Sequence, residues 1–148
     1  MVSLSNHEGG NRHSAPLHFP PETHYARVNP TRSRLMHRAL LALAGLFGAL
    51  GVAAAAAGSH TADPLLSLAA NFLLLHAPAL IGLSLLRDNR IAIGAACVLA
   101  VGVILFAGDL AMRARAGTSL FPMAAPIGGG AMILGWLGVS VAALVQRR

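Results

Sequence analysis

Few residues of this chain could do chemistry, and those few lie inside or beside long apolar runs. His76 falls near the middle of one, in Leu73-Leu74-Leu75-His76-Ala77-Pro78. An ionisable group in hydrocarbon is expensive, so an imidazole there could relay a proton or hold a ligand. The structural alternative is a neutral histidine bonded across helices, or to the carbonyl of Leu74, to which Pro78 has no N–H to donate. That bonded role is the simpler expectation. Asn71 lies about 140° around a helix from His76 at 100° per residue, so the two do not share a face. It is one turn from Ser67, and a helix contact is expected of both.

Asp109 and Arg113 stand four residues apart, the spacing at which side chains meet along a helix. A structural ion pair is expected there in preference to a substrate or proton site. The topology derived below puts His60 on the same side, which raises the hypothesis of a His60, Asp109 and Arg113 cluster. Cysteines at positions 60 and 109 that never cross-link would remove it. Trp136, inside the last apolar run, is expected to fill a groove opposite small residues. The single cysteine, Cys97, excludes an internal disulfide, and no Cys/His metal spacing occurs. Nothing resembles a Gly-rich phosphate loop or a nucleophile paired with a base. No catalytic, cofactor or metal site is expected.

The elements that carry these residues follow from composition. Hydrophobic residues are 55% of the 148 and charged residues 11%. A soluble domain carries about a quarter charged residues, so lipid is the better solvent for this surface. The eleven basic residues, all arginine, give a net charge of +6 against five acids. They cluster at the ends of apolar runs, which points to membrane topology and away from nucleic acid.

Residues 1–34 hold four prolines and four histidines (His7, His13, His18 and His24) without apolar periodicity. They read as a disordered cytoplasmic leader. A flexible metal-binding tail is the lesser alternative, and Met36 is a second candidate start. Residues 35–148 read as one transmembrane domain with helices over about 39–57, 65–86, 91–112 and 125–145. About 20 apolar residues cross a hydrocarbon core of roughly 30 Å. The first run resembles a signal peptide at its Ala-rich end, but a signal core is shorter, roughly 7–15 residues, and a retained helix is expected. Lipid satisfies no backbone groups, so each run must be helical. Short connections make neighbours antiparallel, giving an all-α, up-and-down bundle of four helices.

Gly45, Gly48 and Gly51 recur every three residues, and Gly128, Gly129 and Gly135 punctuate the fourth run. Small residues let helices approach closely. Counting arginines in the flanks puts nine on one side and two (Arg113 and Arg115) on the other. Both termini are therefore expected in the cytoplasm.

The stretch Asp109–Trp136, DLAMRARAGTSLFPMAAPIGGGAMILGW, resembles the C-terminal half of a small bacterial membrane family, domain of unknown function 423, related to the eukaryotic transmembrane protein 256 group. The matching elements are Phe106-Ala107-Gly108-Asp109, Pro126-Ile127-Gly128-Gly129 and Gly135-Trp136-Leu137, with weaker matches at Gly58-Ser59-His60 and His76-Ala77-Pro78-Ala79-Leu80. The resemblance covers roughly residues 36–146. It departs at Leu75, where a tyrosine is usual, in a short first loop, and in the leader. It implies a four-helix inner-membrane protein and brings no activity.

The expected function is an accessory, assembly or scaffold role by helix packing in the lipid bilayer, as a homo-oligomer or within a larger membrane complex, without nucleic acid. The alternative is a small oligomeric transporter or channel using His76 or Asp109. An enzyme is not expected.

Overall fold

A computed structural model describes residues 30–86 and 89–145, with side-chain surroundings from Arg34 onward. The leader over residues 1–29, with its four histidines, and the terminal arginines Arg147 and Arg148 lie outside the described residues. The chain folds into four α-helices: α1 (Pro30–Thr61), α2 (Pro64–Leu85), α3 (Arg90–Ala116) and α4 (Ala124–Val145). There is no strand among the described residues. All four helices are long and apolar enough to cross a membrane, and the protein is a multi-pass membrane protein.

Two helices run well past the apolar segments that announce them. α1 starts at Pro30, inside the segment assigned to the leader, and ends at Thr61. Its last turn is held by Ser59 and Thr61 hydroxyls donating back to the carbonyls of Ala56 and Ala57, at 2.9 Å each. α3 continues to Ala116 because Arg and Ala extend a helix readily. Gly117, at φ 69°, stops it in a left-handed cap that bulkier residues resist.

The connections are built from short polar caps. Asp63 accepts from the N–H groups of Leu65 (2.8 Å) and Leu66 (3.3 Å), with Pro64 opening α2 where a missing N–H costs nothing. Asn89 caps α3 by accepting from Ala92 N–H (3.0 Å), and its amide donates to the carbonyl of Ala142 (3.2 Å). That second bond ties the start of α3 to the end of α4.

The helices pack in chain order, α1 on α2, α2 on α3 and α3 on α4, with α1 also touching α3 lightly. The α1 and α4 backbones do not meet among the described residues. The architecture is thus an open row of antiparallel helices. α3 is its most buried member, and α1 and α4 the least. The core is made of Leu40, Phe47, Leu80, Leu99 and Val103 among many alanines. The outside is apolar too: Leu75 is 69% exposed and Leu144 67%. An apolar surface of that extent is a lipid-facing one.

Glycines set the closest approaches. On α4, Gly128, Gly135 and Ala142 are buried at seven-residue spacing, the period of a coiled-coil seam. A Cβ on Gly128 would lie 2.6 Å from the backbone nitrogen of Phe106, and one on Gly135 would lie 2.9–3.0 Å from Leu99. Across the seam Gly102 leaves the matching space, 2.8 Å from Met132 nitrogen. Between α1 and α2 the same part is played by Gly51 against Leu74 and Gly58 against Ser67. Gly45, Gly48 and Gly129 have nothing within 4 Å of an added Cβ. Three of the six glycines expected to pack helices therefore make no close approach to the described residues of another helix.

The seam yields a direct test. Overpacking a tight core costs about 1–3 kcal/mol, so Gly128→Leu should lower the thermal midpoint in detergent by several degrees, whereas Gly129→Ala should leave it level or raised. Circular dichroism melts of the two variants against the parent decide it; equal melts would mean that the seam does not hold α3 to α4.

Candidate functional site

Two polar arrangements sit within the helical span. The first centres on His76 of α2, which is buried. Its Nδ1 lies 2.7 Å from the carbonyl oxygen of Phe72, one turn earlier. On its other side Trp136 of α4 donates its indole N–H to His76 Nε2, at 3.3 Å. Indole N–H can only donate, so Nε2 must accept. The ring proton then sits on Nδ1 and is donated to Phe72. One donor and one acceptor are each used, and the imidazole is neutral. The carbonyl engaged is that of Phe72 and not that of Leu74, the acceptor that Pro78 was expected to leave open.

Aromatic contacts extend this pair. The Phe72 ring stacks on His76 (centroids 5.9 Å apart, planes 9° apart) and meets Phe106 of α3 at 4.5 Å. Trp136 tilts against His76 at 6.0 Å. The set of Phe106, Phe72, His76 and Trp136 therefore links α3, α2 and α4. Trp136 is 46% exposed, so it does not fill an internal groove. It spans from α4 to α2, past the narrow seam that Gly128 and Gly135 create.

The second arrangement centres on Asp109, whose side chain is fully buried near the end of α3. One carboxylate oxygen accepts from Arg113 Nε at 2.7 Å, in the i, i+4 geometry expected from the sequence. The other accepts from the backbone N–H of Leu120 at 2.8 Å. Leu120 belongs to the segment between α3 and α4, and its side chain covers Gly108, where an added Cβ would lie 3.3 Å from it. Asp109 thus clips the connection back onto the helix it leaves. Met123, at φ 71°, then turns the chain into α4. The role of Leu120 was not legible from spacing, because a backbone donor eleven residues away leaves no mark on residue type.

The remaining expected positions stand apart. His60 is exposed in the last turn of α1 and takes no part in the bonds of Asp109, whose two oxygens are occupied by Arg113 and Leu120. The structure does not join His60 to the pair. Asn71 is exposed on α2, and its amide makes no hydrogen bond to the described residues. Its neighbour Ser67 bonds to the carbonyl of Asp63 instead (3.0 Å). No group of three or more His, Cys, Asp or Glu side chains gathers to hold a metal among the described residues. Asn89 and Asp63 were missed as bonding residues. Both precede apolar runs and could have been found as helix caps.

The Asp109 clip predicts protease sensitivity. Asp109→Ala frees the 117–123 connection, so tryptic cleavage after Arg113 and Arg115 in the purified protein should speed up several-fold. Arg113→Ala, which keeps the Leu120 bond but removes one cleavage site, should speed cleavage after Arg115 by less than Asp109→Ala does. Unchanged digestion of Asp109→Ala would show that the connection is held by something else. For His76, nitrogen-15 NMR should report a protonated Nδ1 and an accepting Nε2, and Trp136→Phe should shift the Nε2 signal.

The chain matches the model of a family described as "Protein of unknown function (DUF423)" over residues 44–129. The match takes in His76 and the whole Asp109 arrangement, and ends inside α4 before Trp136. No curated protein and no solved structure matches the chain.

Proposed function

The chain belongs to the DUF423 family, and from that premise we propose that it works as an accessory or scaffold subunit in a bacterial inner membrane. It acts by packing its helices against another membrane protein or a second copy of itself. Both termini face the cytoplasm in this reading, which rests on the excess of arginine on one side of the helices.

The observation that carries the proposal is Asn71. Its amide projects from the lipid-facing side of α2, about 10 Å along the helix from Pro64. Hydrocarbon offers no hydrogen bond, and an unpaired amide in an apolar medium costs roughly 2–7 kcal/mol. A partner helix removes that cost: polar contacts between membrane helices contribute about 0.6–2 kcal/mol. Gly45 and Gly48 of α1 support the same reading, since both have open space where a side chain would be. A neighbouring helix can approach closely there. The ionisable groups support a non-catalytic role, because the ring nitrogens of His76 and the oxygens of Asp109 are already engaged.

The test is recovery of partners from native membranes. The tagged full chain, extracted in a mild detergent, should bring down one fixed partner or a second copy. Asn71→Leu should cut that recovery several-fold while leaving the melting curve level or raised. Equal recovery by both forms would remove Asn71 from the interface. A chain that purifies alone and carries a solute across liposomes, with flux abolished by His76→Ala, would replace the scaffold by a transporter.

A further inference from the structure

α1 and α3 touch only lightly, and the space between them, floored by α2, is a half-enclosed groove of about 550 Å³. Leu46 and Leu50 of α1 and Ile104 of α3 form its rims and are each about half exposed, while Leu66 on the α2 floor and Ala107 on the α3 wall are buried. The lining is apolar with one exception: Arg115, in the last turn of α3, is its single charged residue. We propose that this groove holds one acyl chain of an anionic phospholipid, with the headgroup phosphate at Arg115.

Three observations select that occupant. Length comes first. From Ile104 to Arg115 the α3 wall runs eleven residues, about 17 Å at 1.5 Å each. The hydrocarbon of one leaflet is about 15 Å deep, half of roughly 30 Å. The groove therefore spans one leaflet, from the interface at Arg115 to the bilayer middle.

Width is second. A helix with its side chains is about 11 Å across, too broad to sink between two helices that already touch. A hydrocarbon chain is far thinner and enters it. The volume also falls among small-ligand pockets, roughly 300–1,000 Å³.

Charge is third. Arg115 forms no ion pair with the described residues, and the nearby acid, Asp109, is taken by Arg113 and Leu120. Arginine binds phosphate through paired N–H donors. A guanidinium at the mouth of an apolar groove matches an amphiphile whose one end is an anion. This site lies on a different face from the Asn71 surface and does not depend on the scaffold reading.

Native mass spectrometry of the full chain decides it. The chain is released from nanodiscs of equal phosphatidylglycerol and phosphatidylcholine. It should retain one phosphatidylglycerol per chain, with about a tenfold preference over phosphatidylcholine (about 1.4 kcal/mol). Arg115→Gln should bring the preference close to even. Ala54→Trp, which fills the groove, should reduce retention of both lipids. Arg38→Gln, at the opposite end of α1, should change nothing. Equal retention of the two lipids by the parent overturns the proposal. So does an equal loss of preference in Arg115→Gln and Arg38→Gln, which would report general attraction to anionic lipid. A lipid-free dimer would also overturn it, by giving the groove to a second copy.

Discussion

The approach of α4 to α3 is the contact on which the hydrogen bonds that reach α4 depend. α4 reaches no other helix through its backbone, and the seam of Gly128 and Gly135 against Phe106 and Leu99 brings the two axes close. Only from that distance can the Trp136 indole cross to His76 on α2. The same closeness lets Asn89 at the start of α3 bond the Ala142 carbonyl at the end of α4. A wider seam would lengthen both bonds at once. Packing of small residues and satisfaction of polar groups are therefore one constraint here, since lipid supplies neither a driving force between apolar helices nor a hydrogen bond.

Under that constraint the polar side chains divide into two kinds. His76, Asp109, Asp63 and Asn89 are closed by partners within the chain and stabilise turns, caps and crossings. Asn71 and Arg115 are not closed, and both face outward from the helical span. One is a neutral amide amid apolar side chains and the other a cation at the end of an apolar groove. Their chemistry differs, and so do the neighbours that would complete them.

Much of this was legible in the residues. The four helices followed from apolar runs too long for a soluble domain, and the family from the Pro126-Ile127-Gly128-Gly129 and Gly135-Trp136-Leu137 elements. The Asp109–Arg113 pair was legible because i, i+4 spacing is a local rule. The ends of the helices were not, because Arg and Ala extend α3 without adding to its apolar run. Which glycines pack was not legible either. Gly45, Gly48 and Gly51 share a spacing, yet only Gly51 faces α2, and the facing is decided by how α1 is rotated against its neighbour. Long-range bonds such as Trp136 to His76 and Leu120 to Asp109 depend on tertiary placement, which spacing does not encode.

The open row has a consequence for assembly symmetry. A ring of four helices would present much the same wall in every direction, but a row ends in two unlike helices. A contact that pairs α1 with α1, or α4 with α4, is isologous and closes at two copies. A contact of α1 on one copy with α4 on the next is heterologous. It uses up neither free end of the growing row, so it stops only if the rotation between copies closes a ring in the plane of the membrane. The number of copies in any homo-oligomer of this protein is thus set by which outer helix meets which.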